Sequence, residues 1–261
     1  MTKGIEIYKM KDKNDKHFKK KGLMFDLSFR IACVGKSQYS GKTSLCGSLL
    51  LQDDPRLYKH DFKGYNMYIF SPSADTDFKL KTIIEEKEIP PSNVFLTFDE
   101  DEIDTLYELL KDEYNESMEA GEEPEHKLFY FDDMSAGGHF KKKMNGVMAK
   151  IFCNGRHIML SSIVTAQKYS DIPTVIRENL TGGIFFSGTD RQLELISDDH
   201  NMFDKKSTFK SMYRKVTEEP HSFLVVNYSN PINERYMNKQ FLPVGSCGKV
   251  KRHHGGDCPC K

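Results

Sequence analysis

The chain has 261 residues, 38% of them hydrophobic, with 38 Lys+Arg against 38 Asp+Glu and a formal net charge of zero. That length suits one large α/β domain or two small ones, either with a real core, and the apolar content excludes a disordered chain. No run approaches the roughly 18 apolar residues of a membrane-spanning helix, and the Lys-rich start lacks the apolar stretch of a secretory signal.

In chain order, residues 1–24 are predicted to form a basic flexible arm, with eight Lys between Lys3 and Lys21. Phe29–Val34 is an apolar run ending in Gly, the pattern of a buried strand. A helix is predicted from Lys42 to Gln52, with Leu45, Leu49 and Leu50 on one face. Strands follow at Tyr65–Phe70, stopped by Ser71-Pro72-Ser73, and at Val94–Phe98. Residues 85–125 then hold 16 Asp+Glu and two Lys, a local net of −14 that leaves +14 elsewhere. Within them Ile103, Leu106, Tyr107, Leu110 and Tyr114 recur at three- and four-residue spacing, so the acids fall on the wet face of an amphipathic helix.

Gly121–Glu125 reads as a loop. Leu128–Phe131 and Ile158–Ala166 read as strands around a helix from Lys141 to Phe152. Ile184–Phe186 and Phe223–Val226 are further strands, with helical sequence around Arg191–Ile196 and Thr208–Lys215. Alternation of this kind predicts an α/β fold: a mainly parallel central sheet with helices on both faces. The domain is predicted over 25–230, followed by a C-terminal extension over 231–261.

Val34-Gly35-Lys36-Ser37-Gln38-Tyr39-Ser40-Gly41-Lys42-Thr43-Ser44 contains Gly-Lys-Ser/Thr twice. Only the second copy follows a polar turn and opens a helix, the arrangement that turns backbone N–H groups toward phosphate. Ser40, Gly41, Lys42, Thr43 and Ser44 are therefore the candidate ATP cradle, with Lys42 on the β- and γ-phosphates and the Thr43 hydroxyl on Mg²⁺. The spacing departs from G-x-x-x-x-G-K-[ST]: Lys36 stands where the first Gly belongs, and Gly35 is one residue further back. Either the loop is one residue longer or its first Gly is missing.

Lys127–Phe131 is apolar after its Lys and ends in Asp132-Asp133. A phosphate-loop ATPase needs a strand-end carboxylate for the Mg²⁺ shell and a base beside it for the attacking water. Asp132 fits the first need and Asp133 the second, although Asp133 is shorter than the Glu often found there. Gln167 ends the strand Ile158–Ala166, where its amide would sense the γ-phosphate or position the water; helix capping or turn chemistry would also account for it.

Together these segments look like a known set. Gly41-Lys42-Thr43, Phe131-Asp132-Asp133, Asn154-Gly155-Arg156-His157 ahead of the strand ending Thr165-Ala166-Gln167, and Ile172-Pro173-Thr174-Val175-Ile176-Arg177-Glu178-Asn179 occur in that order. The sequence over 25–230 resembles the poxvirus-type DNA-packaging ATPases of large DNA viruses and virophages, within the FtsK–HerA superfamily. The resemblance implies a RecA-like core that hydrolyses ATP. It further implies a homo-oligomeric ring, pentamer or hexamer, that pumps double-stranded DNA into a preformed capsid at a portal vertex. It places the protein in the host cytoplasm, at the virus factory or with the virion, and away from membranes. An arginine acting on the neighbouring subunit's γ-phosphate is implied as well, with Arg156 as the first candidate ahead of Arg177 and Arg191.

A motor of this kind grips the phosphate backbone with Lys and Arg, without reading bases. Gly137-Gly138-His139-Phe140-Lys141-Lys142-Lys143, directly after the acidic pair, is the candidate loop; a solvated helix start explains it equally. Cys33, Cys46 and Cys153 read as small buried residues of a reducing compartment. Cys247, Cys258, Cys260, His253 and His254 in the basic tail contain enough donors for zinc, in a spacing that matches no common finger, and a disordered tail is the alternative. Two other functions stay open: another phosphate-loop enzyme, such as a nucleotide or small-molecule kinase, and a non-catalytic nucleotide-binding assembly factor.

Overall fold

Short apolar runs, each closed by a polar residue, build the sheet in the computed structural model, which describes residues 19–37, 40–133 and 145–245. The strands are β1 (Arg30–Val34), β2 (Met67–Phe70), β3 (Val94–Phe95), β4 (Lys127–Phe131), β5 (Leu160–Ala166), β6 (Gly182–Phe186), β7 (Phe223–Asn227) and β8 (Tyr236–Met237). They form one sheet in the order β3-β2-β4-β5-β1-β6-β7-β8. The pairs from β3 to β6 are parallel, and β7 and β8 are added antiparallel. A mainly parallel sheet is thus what the sequence predicts and what forms.

The helices are α1 (Lys42–Leu51), α2 (Phe78–Glu86), α3 (Glu100–Ala120), α4 (Asn145–Asn154), α5 (Thr174–Glu178), α6 (Asp190–His200) and α7 (Lys206–Val216). Strands buried on both faces need cover on both, which explains why β4 reads as a nearly continuous apolar run. Phe129 and Phe131 of β4 pack into one core with residues of α3, α4, α6 and α7. Leu128 and Tyr130 point the other way, into a second core with residues of α1, α2 and the segment Met24–Phe29. Helices therefore cover both faces, as predicted.

Three boundaries differ from the sequence reading. Tyr65 belongs to a 3₁₀ turn, Gly64–Asn66, and its hydroxyl donates to Glu125 at 2.8 Å, so β2 starts at Met67. Ile158 ends another 3₁₀ turn and Met159 has φ 58°, so β5 starts at Leu160. Both residues are buried in the core, which is why an apolar run conceals the turn. Beyond Phe95, Leu96 is exposed and β3 stops after two residues. The helix predicted from Lys141 is described from Asn145 onward and continues to Asn154. Two helices, α2 and α5, and the strand β8 have no counterpart in the sequence reading. Cys33 and Cys46 are buried as expected, but Cys153 on α4 is partly exposed.

The chain leaves β1 toward β2 on one side and later passes from β5 over β1 to β6 on the other. The C-terminal ends of β5 and β1 thus border the crevice where the strand order reverses, the usual ligand position in an open α/β sheet.

Candidate active site

Every strand that points a chemically active residue into this crevice does so from its C-terminal end. β1 leads into the phosphate loop and α1. Gly41, the residue before α1, has φ 84°, a left-handed conformation that glycine adopts without strain. It lets the chain turn abruptly into the helix, whose first N–H groups have no partner within the helix. Lys42 is buried, and its Nζ donates to the carbonyl of Gly35 at 2.8 Å. Ser40 Oγ donates to the carbonyl of Lys36 at 2.7 Å.

Gly35 resolves the spacing question. A Cβ at this position would stand 2.6 Å from the Ser40 Cβ and 2.8 Å from the Phe186 Cβ, too close for any side chain. Its N–H donates to the carbonyl of Ala166 at 3.1 Å, which extends the β1–β5 pairing into the loop. Gly35 is the close-approach glycine where the strand gives way to the loop, and the loop is one residue longer than the usual spacing.

β4 and β1 are not neighbours; β5 lies between them. That strand holds the acidic pair in place through one hydroxyl. Thr165 Oγ1 donates to Asp132 Oδ1 at 2.7 Å and accepts the Asp133 N–H at 3.0 Å. Asp132 also accepts from Tyr130 Oη at 3.2 Å and from Ser71 Oγ at 3.4 Å. Burial pushes the Asp132 carboxyl above the ordinary carboxylate range, and the hydrogen bonds from Thr165 and Tyr130 oppose that rise. Asp133 has φ 46°, which turns its side chain out of line with the strand, and Gln167 Nε2 donates to its Oδ2 at 2.9 Å.

A cavity of about 140 Å³ lies beside this group, lined on one side by Gly35 to Ser37 and on the other by Gln167 and Gln192. The Asp132 carboxylate and the Thr43 hydroxyl, outside the lining of this cavity, are hard oxygen donors of the kind that suits Mg²⁺. No group of three or more His, Cys, Asp or Glu is placed to hold a metal ion among the described residues. A Mg²⁺ site of one carboxylate, one hydroxyl and substrate phosphates does not need such a group.

The structure therefore links Asp132 to Asp133 through Thr165, pairs Asp133 with Gln167, and places Ser40 to Ser44 at the same end of the sheet. It does not bring Arg156 to them. Arg156 is exposed in the turn before β5, with its Nε 3.4 Å from His157 Nε2. Roughly 20 Å of strand separates it from Gln167 at about 3.3 Å per residue. Arg177 is held by Asp199 at 2.6 Å, and Arg191 is exposed on α6. The loop Gly137–Lys143 and the Cys/His tail lie outside the described residues.

The sequence reading gave no role to Thr165, Tyr130 or Ser71. Their signal was present: a hydroxyl at or near the end of an apolar strand, on strands that flank or carry the acidic pair.

Solved structures share the fold, two of B204 among them. The genome packaging NTPase B204 from Sulfolobus turreted icosahedral virus 2, in complex with AMPPCP, aligns with 17% identity and a TM-score of 0.50, covering 77% of this chain and 93% of that one. B204, the DNA-packaging ATPase from Sulfolobus turreted icosahedral virus, aligns with 15% identity and a TM-score of 0.51, covering 78% and 94%. No curated protein matches the sequence. The family described as Poxvirus A32 protein matches residues 15–235, which take in the loop, both acids, Gln167 and the sheet that aligns them. The chain belongs to that family.

Proposed function

We propose that the chain is an ATP-hydrolysing motor that packages double-stranded viral DNA into a preformed capsid. The observation that carries this reading is the Asp132–Thr165–Asp133–Gln167 hydrogen-bonded group at the strand ends that flank a Gly41-Lys42-Thr43 helix start. Membership of the poxvirus A32 family and the fold shared with B204, itself described as a DNA-packaging ATPase, support it. The kinase and assembly-factor readings draw no support from that family.

In this reading the N–H groups from Ser40 to Ser44 bind the ATP phosphates. Lys42 leaves the Gly35 carbonyl for the β- and γ-phosphates. Thr43 and Asp132 supply the protein oxygens for Mg²⁺, which when bound neutralises charge on the phosphates. Asp133 accepts a proton from the hydrolytic water, and Gln167 fixes the Asp133 carboxylate in orientation. Arg156 sits beyond reach of its own loop, so it acts on a neighbour's nucleotide in a ring of five or six copies. DNA, the capsid or portal vertex and the host cytoplasm are the remaining elements of the proposal. No helix among the described residues is long and apolar enough to cross a membrane.

The test is phosphate release with and without double-stranded DNA, for wild type and Lys42→Ala. Wild type is expected to hydrolyse ATP faster with DNA, and the variant to lose hydrolysis in both conditions. Hydrolysis that does not depend on Lys42 would overturn the proposal.

A further inference from the structure

The face of the sheet that α1 covers carries a cavity of about 920 Å³, walled by residues 19–24, α1, residues 54–61 and residues 239–242. Leu23, Leu45, Leu57 and Phe241 pack against the core beneath it yet are only partly buried, and Leu242 is 42% exposed. Apolar side chains left open together, unlike ones scattered singly, mark an interaction surface. The same lining holds five Lys and Arg against two Asp. Both Asp are already neutralised, Asp61 by Lys19 and Lys21 and Asp54 by Arg56. The field left over is positive, so the partner that fits is apolar with acidic flanks.

The opposite face of the sheet carries that complement. On α3, Glu102, Thr105, Leu109, Asp112 and Glu116 are exposed and recur at three- and four-residue spacing. They form one stripe, turned away from the buried Ile103, Tyr107, Leu110 and Tyr114. Leu109, at its centre, is 61% exposed. The ion pairs of α3 use Asp104, Glu108 and Glu113, and leave Glu102, Asp112 and Glu116 without one among the described residues.

We infer that the cavity receives α3 of a second copy of this chain, with Leu109 entering among the apolar side chains and the acids of the stripe meeting the Lys and Arg. A helix laid in a groove by one exposed stripe is a recurring mode of recognition. The two surfaces lie on opposite faces of one sheet, so the contact is head-to-tail and leaves each copy a free surface for a third. The inference rests on the ring in the ATPase reading above and adds the surfaces that build it. The turn that carries Arg156 lies beside α3, since Tyr107 and His157 line one hollow. The receiving cavity is walled by α1, which opens at Lys42. Docking therefore sets the Arg156 side of one copy against the α1 side of the next.

The experiment is sedimentation velocity on the full chain: wild type, Leu109→Gln on the stripe, Leu242→Gln at the cavity, and an equimolar mixture of the two variants. Both positions are exposed and outside the nucleotide site, so ATP binding by calorimetry should match wild type and report intact folding. Wild type is expected to self-associate, and each variant to do so about 10- to 100-fold more weakly, the scale of losing one buried Leu. The mixture is expected to form heterodimers and stop there, because one variant keeps its cavity and the other its stripe. Association unchanged in either variant overturns the inference, whatever fills the cavity instead, residues 1–18 of the same chain included. A mixture no more associated than its components overturns it, as does wild type that stays monomeric. Phosphate release on the same samples separates the two levels. Lys42-dependent hydrolysis beside unchanged association removes only this inference. The expected association without Lys42-dependent hydrolysis removes the ATPase reading and leaves the contact.

Discussion

Thr165 is the residue on which the acidic pair depends. Its single hydroxyl proton is committed to Asp132, and its lone pair receives the Asp133 N–H. Thr165→Val keeps the volume and removes both bonds. It is expected to lower kcat about 10²-fold, the scale of a small misplacement of reacting groups. Stability is expected to fall by about 1–3 kcal/mol, since buried partners lose their hydrogen bonds. Thr165→Ser restores the hydroxyl, and phosphate release should recover most of the loss in that variant. Gly35→Ala makes a second test at this scale. The added methyl meets Ser40 and Phe186, and overpacking of this kind costs about 1–3 kcal/mol, read in a denaturant titration. Nucleotide affinity should fall with it, because the strain falls on the loop that holds the phosphates.

At the scale of elements, α3 shows how unevenly the sequence discloses structure. Its 21 residues bury Ile103, Tyr107, Leu110 and Tyr114 on one stripe, as their spacing predicts. Asp99 caps it by accepting the N–H groups of Asp101 and Glu102, and three acids occupy its first turn, where the helix dipole favours them. Asp99→Ala is expected to cost about 1 kcal/mol and to lower Tm by about 2–4 °C in a thermal melt. By contrast, α2 has only Leu80 and Ile83 buried, and its cap, Asp77, stands in a polar stretch that masks the pattern.

The phosphate-loop start and the acidic strand end were legible because each combines a local motif with an apolar strand. The Thr165 bridge was not, because it depends on β5 lying between β4 and β1, a long-range pairing that no local window contains. The role of Gly35 was undecidable from spacing alone, since only the contacts with Ser40 and Phe186 show why the position excludes a side chain.

At the scale of the whole molecule, the region beyond β6 is tied together by a buried histidine. His200 Nε2 lies 2.9 Å from Tyr169 Oη, which donates to Asp199 at 2.9 Å, so the imidazole N–H is on Nε2. Nδ1 then accepts from Tyr228 Oη at 2.6 Å. Burial lowers the His200 pKa to about 4 from the ordinary 6.5, with Asp199 opposing and Arg177 assisting. The folded state therefore binds fewer protons than the unfolded state between those values. Stability is complete above pH 6.5 and is lost as pH falls toward 4, by on the order of 3 kcal/mol. Denaturation of wild type and His200→Asn across this window should show a shallower pH slope in the variant; equal slopes would remove His200 as the cause.

Both outer strands of the sheet, β3 and β8, are only two residues long. At β8, Met237 forms its outer bridge with Pro243, which has no N–H to offer. Among the described residues, neither border presents the row of open backbone donors and acceptors on which a second chain could add a strand. In the ring proposed above, copies then meet through side chains, and with 29% of residues charged those contacts are of the kind that salt weakens. Subunit association should then loosen as ionic strength rises, where a shared sheet would have held.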